Sequence, residues 1–139
     1  MSELLLFVAD YIKTAQRILR KIIVSNIKDY RVDFEEGVDR VADLFINLGS
    51  CQNIFLVGNG GSAGIASIVA NRLWKFCGIK GHAFNDSVIM SCASNDYGWK
   101  KVFSKPLERY GRPGDILIAI SSSGQSKNIL NAVHGPKQS

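Results

Sequence analysis

The sequence has few cysteines, no long apolar run and no cluster of basic residues, and each absence excludes a class of protein. Cys51, Cys77 and Cys92 are odd in number and form no CxxC pair. They predict free thiols in a reducing compartment rather than a disulfide framework or a zinc site. The longest apolar run, residues 4–9, is far shorter than the roughly 18 residues of a membrane span. No Lys or Arg precedes it as in a secretory signal, so we expect a cytoplasmic protein without a membrane anchor.

Length and composition are typical of one ordinary globular domain. The 139 residues are 46% hydrophobic and 21% charged, and a chain of this length holds one core. We predict a single domain over residues 1–139, with an N-terminal helix pair in residues 1–49 and an α/β part in residues 50–139. The net charge of +5 suits a phosphorylated ligand. Because the basic residues are scattered, we do not expect a nucleic-acid-binding surface.

The N-terminal helix pair is predicted from helical spacing and capping signals. Apolar residues recur with basic residues between them along residues 3–24, which predicts one amphipathic helix. A second helix begins at Asp33, with Glu36 as the other half of a capping box, and ends at Gly49. We expect the pair to cover one face of the domain or to form a contact between subunits.

Beyond residue 50, short apolar runs alternate with loops and helices. Residues 53–57 and 115–120 are nearly all apolar, as expected of parallel strands covered on both faces, and a weaker strand is predicted at 82–84. Helices are predicted at about 61–76, at 86–93 with Asp86 as N-cap, at 103–110 and at 126–133. This alternation predicts an α/β fold with a doubly wound parallel sheet.

Two loops carry the residues that we expect to bind a ligand. The glycine loop (residues 58–62, Gly-Asn-Gly-Gly-Ser) and the serine loop (residues 121–126, Ser-Ser-Ser-Gly-Gln-Ser) each follow a predicted strand and open a helix. Ligands bind at that edge of an open α/β sheet, and a helix N-terminus favours an anion. Tight turns and helix caps would explain either loop alone equally well, but the two together predict a phosphate site.

A dinucleotide-binding domain is the alternative to this interpretation. Gly58-x-Gly60-x-x-Ala63 fits the looser G-x-G-x-x-A fingerprint, and Asp86 follows the second strand, where a ribose-binding carboxylate would lie. However, the spacing from Gly60 to Asp86 is longer than the usual ~20 residues, and nothing in that fold requires the serine loop. We therefore favour the phosphate site.

Three ordered segments, residues 57–63, 91–98 and 114–126, resemble the signature segments of the sedoheptulose 7-phosphate (phosphoheptose) isomerases of the sugar isomerase (SIS) family. The resemblance covers about residues 50–133, and the N-terminal helix pair also fits it. It implies a SIS-type, flavodoxin-like three-layer sandwich and a homo-oligomer, a dimer or a tetramer. It further implies ketose–aldose isomerisation of a phosphorylated sugar in heptose and surface-polysaccharide biosynthesis.

The resemblance also implies roles for individual residues. Four serines would hold the substrate phosphate: Ser62, Ser121, Ser123 and Ser126. Four further residues would line the sugar: Gly60, Gly61, Asn95 and Asp96. To these we add the neighbouring loop residues Asn59 and Ser122 to complete the predicted binding set.

Two departures from the family pattern concern catalysis. The family carries a His, and four residues later a Glu used in proton transfer, on the helix after the glycine loop; both can take part in zinc binding. Here those positions are Ile68 and Arg72. Isomerisation through an enediol needs a base, and arginine is not one at neutral pH. We therefore assign no catalytic residue and expect no cofactor, since neither His82 nor His134 has metal-ligand spacing.

The second departure is a C-terminal segment of the family, with a further catalytic His and a Gln, that has no counterpart in this sequence. We therefore expect a SIS domain truncated at its C-terminus. Two functions stay open: a heptose phosphate isomerase, or a catalytically silent oligomeric module that binds a phosphorylated sugar or regulates another process.

Overall fold

The computed structural model of the protein describes residues 3–26, 28 and 30–135. The chain divides into two compact units between residues 48 and 49. Within the described ranges, no helix is long and apolar enough to cross a lipid bilayer.

The first unit contains two helices and a short antiparallel ribbon. Its elements are α1 (Glu3–Leu19), β1 (Val24–Ser25), β2 (Arg31–Val32) and α2 (Phe34–Ile46). The predicted first helix is too long, because it ends at Leu19 and Val24 pairs with Val32 in the ribbon. The reason is local: residues 22–24 are three consecutive β-branched residues, which favour extended backbone.

Helix α2 begins where the capping signal predicts. The Asp33 carboxylate accepts a hydrogen bond of 2.8 Å from the Glu36 N–H, which confirms Asp33 as the N-cap. The Glu36 side chain pairs with Arg40 instead of returning to Asp33, so only one half of the capping box forms. The helix ends at Ile46 rather than at Gly49, because Asn47 caps it through a bond from its side-chain Nδ2 to the Asp43 carbonyl.

The second unit is a parallel sheet between helices. Its elements are β3 (Asn53–Gly58), α3 (Gly61–Cys77), β4 (Lys80–Ala83), α4 (Ser87–Tyr97), a 3₁₀ turn (Trp99–Lys101), α5 (Ser104–Tyr110), β5 (Ile116–Ile120) and α6 (Lys127–His134). In the described part of the chain the strand order is β4-β3-β5, all parallel. From the central strand β3 the chain crosses to β4 on one side, and later it returns to β5 on the other side of β3. Because crossovers of this kind are right-handed, they place helices on both faces of the sheet. The predicted doubly wound sheet is confirmed.

The core of this unit lies on the central strand. Ile54, Leu56 and Val57 are fully buried, and burying each such side chain stabilises the fold by about 1.5–3 kcal/mol. One continuous apolar cluster packs against the sheet and consists of Phe55, Val57, Phe84, Ala93, Val102, Phe103, Ile129 and Ala132. The apolar run at 53–57 therefore marks the core strand, as predicted.

Two elements of this unit differ from their predicted bounds by more than one residue. Strand β4 is Lys80–Ala83 rather than 82–84, because it pairs in parallel register with β3 from Asn53 opposite Lys80. Helix α4 continues past residue 93 to Tyr97, where Gly98 ends it at a positive φ of 77°. Asn95 and Asp96 therefore lie on the last helical turn.

Candidate functional site

The glycine loop and the serine loop begin side by side at the carboxyl edge of the sheet. Gly58, the last residue of β3, pairs with Ile120, the last residue of β5. Adjacent strands lie about 4.8 Å apart, so Asn59 and Ser121 leave the sheet as neighbours. Since β3 and β5 flank the point where the winding direction reverses, this is the edge at which open α/β sheets bind ligands.

The glycine loop presents unpaired backbone donors to open space. Gly60 has a φ of +53°, a conformation that glycine adopts without strain. A Cβ placed on Gly60 or on Gly61 would meet no atom within 4 Å. Among the described residues, nothing accepts a hydrogen bond from the N–H of either glycine. An anion could therefore approach both N–H groups closely.

Three hydroxyls of the serine loop converge on one point. The Ser121 Oγ lies 3.3 Å from the Ser126 Oγ and 3.5 Å from the Ser123 Oγ. Ser126 is the N-cap residue of α6, but within the described helix its side chain makes no capping hydrogen bond. Helix capping therefore does not account for this serine. The cluster includes the phosphate-binding serines implied for this loop, whereas Ser122 is exposed and its hydroxyl makes no hydrogen bond to a described residue.

The electrostatics at this edge favour an anion. Helix α3 begins at Gly61 and α6 begins at Lys127, so two helix N-termini, each carrying partial positive charge, follow the two loops. Neither first turn contains Asp or Glu. The arrangement suits a phosphate group held by N–H and O–H donors. In contrast, the Asp86 carboxylate, which a dinucleotide site would use to bind a ribose, caps α4 by accepting from the N–H groups of Val88 and Ile89.

An amide pair that was not predicted from the sequence connects the glycine loop to the first turn of α6, directly after the serine loop. The Asn59 Nδ2 donates to the Asn128 Oδ1 at 3.0 Å, and the Asn128 Nδ2 donates to the Asn59 Oδ1 at 2.8 Å. Asn128 is only 2% exposed and is the second residue of α6. A signal existed in the sequence: Asn128 shares the buried helix face of Ile129 and Ala132, where a polar residue requires a partner.

Asn95 and Asp96 lie at the end of α4 and contact each other. The Asn95 Nδ2 donates to the Asp96 Oδ1 at 3.0 Å, and the Cys92 thiol donates to the Asp96 Oδ2 at 3.5 Å. The hydrogen bond from the thiol to Asp96, the negative charge of Asp96 and burial together raise the pKa of Cys92. In the part of the chain that the structure describes, no hydrogen bond joins Asn95 or Asp96 to either loop. The 3₁₀ turn after α4 packs on α6, where the Asn131 Nδ2 donates to the Lys100 carbonyl at 2.9 Å.

Ile68 and Arg72 lie on the exposed side of α3. The buried side of this helix is formed by Ala66, Ala70 and Leu73, whereas Ile68 is 59% exposed and Arg72 is exposed. These are the positions at which the family's His and Glu can bind zinc. An isoleucine offers no ligand atom and a guanidinium repels a cation, so the residues present do not fit a zinc ion. The described residues also contain no cluster of three His, Cys, Asp or Glu side chains suited to a metal.

A separate cleft of about 420 Å³ lies between α4 and α5. Its lining is mainly apolar, with Val88, Ile89 and Pro106 beside the basic Lys105 and Arg109. It includes Cys92 but no residue of the glycine loop or the serine loop. The convergent polar groups that would orient a phosphorylated ligand are at the sheet edge, so the candidate site is there.

Residues 10–139 match the SIS domain family. The chain is 38% identical over 119 residues to the phosphoheptose isomerase of Tolumonas auensis, covering 80% of this chain and 62% of the relative. It is 36% identical over 128 residues to that of Histophilus somni, covering 88% and 63%. The chain thus spans less than two thirds of the length of these relatives.

Solved structures show the same similarity. The phosphoheptose isomerase of Neisseria gonorrhoeae superposes with a TM-score of 0.75 at 31% identity, covering 94% of this chain and 67% of that one. The phosphoheptose isomerase of Francisella tularensis superposes with a TM-score of 0.71 at 22% identity, covering 96% and 69%. The second similarity shows the fold alone. Together with the sequence matches, they confirm the predicted family resemblance and fold class.

Proposed function

The chain belongs to the SIS domain family, and on that premise we propose that it binds a phosphorylated sugar between the glycine loop and the serine loop. The observation that supports this most is the convergence of the Ser121, Ser123 and Ser126 hydroxyls beside two helix N-termini. The N–H groups of Gly60 and Gly61 add donors that no described residue uses. With Ser62, these groups would surround a phosphate without a dedicated cation.

Homology to phosphoheptose isomerases supports a proposal for the reaction class. We propose that the whole protein interconverts a ketose and an aldose of a heptose phosphate, in the synthesis of heptose for surface polysaccharides. In such a reaction the two loops would bind the phosphate and thereby fix the position of the sugar carbons. Proton transfer between adjacent carbons needs a base, and we assign this role to none of the described residues.

A catalytically silent phosphosugar-binding module is the second candidate. Ile68 and Arg72 favour it, because neither side chain can move a proton at neutral pH. Conversion of sedoheptulose 7-phosphate, followed by NMR, separates the two candidates. Formation of an aldose phosphate would support the isomerase, whereas binding without conversion would support the silent module.

The binding proposal is tested by titration calorimetry with sedoheptulose 7-phosphate. Ser123→Ala should weaken binding by about 1.5–3 kcal/mol, the value of a hydrogen bond to a charged group. Ser50→Ala is the matched control, because Ser50 is exposed and precedes β3, at the opposite edge of the sheet. Equal affinities of wild type and Ser123→Ala, or no binding by folded wild type, would refute the proposed site.

We further propose a homo-oligomer located in the cytoplasm. The apolar stripe of α1 supports oligomerisation, because none of the 17 residues of this helix is buried. Leu4, Phe7 and Tyr11 are each about 70% exposed. Apolar surface of this extent is typical of a protein–protein contact. The cytoplasmic location rests on the sequence alone.

A further inference from the structure

The reciprocal amide pair of Asn59 and Asn128 connects two parts of the chain that are 69 residues apart in sequence. Asn59 directly precedes Gly60, the N-cap residue of α3, and Asn128 follows Ser126 by two residues at the start of α6. The strand pairing of β3 and β5 ends at Gly58 and Ile120. Beyond that point, the amide pair is a side-chain link between the glycine loop and the first turn of α6, which directly follows the serine loop.

The chemistry of the pair requires a side chain that both donates and accepts a hydrogen bond at each position. Each side chain donates one N–H and accepts one N–H in the same pair, and the Asn128 Oδ1 also accepts the N–H of Ile129 at 3.0 Å. At neutral pH an ionised acid at either position cannot donate, and a hydrocarbon can neither donate nor accept. Because Asn128 is buried, losing its partner would leave polar atoms unsatisfied.

We propose that Asn59 and Asn128 are positioning residues that hold the glycine loop and the serine loop at the separation which one phosphate group requires. This inference rests on the proposed function, and it gives the Asn59 side chain a role other than direct contact with the ligand. Holding both helix N-termini in place before binding lowers the ordering cost that the ligand would otherwise meet. The pair acts on the ligand through the backbone N–H groups and hydroxyls of the two loops.

Hydrogen exchange in the ligand-free protein tests the link itself. The reporters are hydrogen-bonded amides beside the pair: Ser62, Ala63, Gly124 and Leu130. In Asn59→Ala and in Asn128→Ala their exchange should become about tenfold faster, since about 1.4 kcal/mol corresponds to a factor of ten. The double variant should be no worse than the more affected single variant, because each removes the same link.

The matched control is Asn131→Ala, one turn further along α6. It also removes an asparagine hydrogen bond between α6 and another segment, the 2.9 Å bond to the Lys100 carbonyl, but it leaves both loops intact. Exchange at the four reporters should not change in this variant. If Asn128→Ala does not fold, Asn59→Ala alone decides, because Asn59 is only half-buried.

Affinity for sedoheptulose 7-phosphate is the second measurement. Asn59→Ala should bind about tenfold more weakly under conditions in which it is fully folded, and Asn131→Ala should bind as the wild type does. Unchanged reporter exchange, faster exchange throughout the unit, or faster local exchange with wild-type affinity would each overturn the inference. If the wild type binds no ligand, the proposed function fails, and the exchange result still decides whether the pair holds the loops together.

Discussion

Gly58 and Ser62 approach so closely that a Cβ on Gly58 would lie 2.7 Å from the carbonyl carbon and oxygen of Ser62. Real Cβ atoms do not approach backbone atoms to this distance, so a side chain at position 58 would displace the first turn of α3. This contact brings the end of β3 against the turn that carries the predicted phosphate donors. Position 58 therefore requires a glycine because there is no room for a Cβ atom, and not because of its backbone conformation.

We predict that Gly58→Ala destabilises the protein by about 1–3 kcal/mol, the usual cost of overpacking a tight site. Gly64→Ala is the control, since a Cβ there would meet nothing within 4 Å and Gly64 lies within α3. That substitution should stabilise the helix by about 0.5–1 kcal/mol. Urea unfolding measures both changes. A Gly58→Ala variant as stable as the wild type would contradict the predicted clash.

Asp115 gives the sheet a predictable response to acid. Burial alone would raise the pKa of Asp115, but hydrogen bonds from the Asn53 and Arg112 N–H groups and from the Asn53 side chain, together with the Arg112 charge, lower it below its ordinary value of 3.8. A carboxylate with a lowered pKa in the folded state contributes stability above the unfolded-state pKa. That contribution is lost as the pH falls through the lowered value.

Asp115→Asn should therefore cost about 1 kcal/mol at pH 7, a modest value because the carboxylate is only half-buried and water screens it. The difference in unfolding free energy between wild type and variant should shrink as the pH is lowered from about 5 toward about 2. Carboxyl groups lose their charge in this pH range. Urea unfolding at several pH values measures it. Asp39→Asn, at an exposed position in the other unit, is the control. A difference that stays constant down to low pH would contradict the assignment.

The sequence predicted the second unit better than the first. The strand at residues 53–57, the helix at about 61–76 and the Asp86 cap depend on local patterns, and the structure confirms them. The β1–β2 ribbon was missed because helical spacing in residues 3–24 hid a short β-branched run. The convergence of the Ser121, Ser123 and Ser126 hydroxyls and the pairing of Asn59 with Asn128 depend on strand order, which no local pattern contains.

The thiol of Cys92 should react more slowly than those of Cys51 and Cys77, although all three are free and exposed. The hydrogen bond to Asp96 raises the pKa of Cys92, and the thiolate is the reactive form. The alkylation rates of the three cysteines are measured at about pH 7.5, close to the physiological value, and mass spectrometry identifies the modified residues. Asp96→Asn should accelerate reaction at Cys92 alone, and Asp43→Asn, on α2, serves as the control. Equal rates at Cys92 in the wild type and in Asp96→Asn would count against this interaction.

We predict that the protein purifies with well under one zinc per chain. Ile68 has no donor atom and Arg72 is cationic, so the helix positions at which the family can bind zinc cannot hold the ion here. Elemental analysis of protein purified without a histidine tag is the measurement, with Ile68→His/Arg72→Glu as the comparison in which a His and a Glu occupy these positions. Stoichiometric zinc in the wild type would refute the prediction.

The last prediction concerns α1 and self-association. Phe7, Tyr11 and Ile18 lie on one side of this helix and are 69%, 68% and 58% exposed, whereas Lys13 lies on the opposite side at helical spacing. If this stripe forms a contact between copies of the chain, Phe7→Glu should shift the protein to a monomer, because an unpaired charge in an apolar contact is costly. Lys13→Gln changes the net charge by the same amount and should leave association unchanged.

Light scattering across a dilution series measures the mass of the protein in solution. Urea unfolding at each concentration measures the unfolding midpoint. Mass action requires the stability of an obligate oligomer to fall on dilution, so the wild-type unfolding midpoint should decrease as the protein concentration is lowered. The midpoint of a monomeric Phe7→Glu variant should not depend on concentration. A wild type that stays monomeric, with a midpoint independent of concentration, would show that the α1 stripe does not mediate self-association.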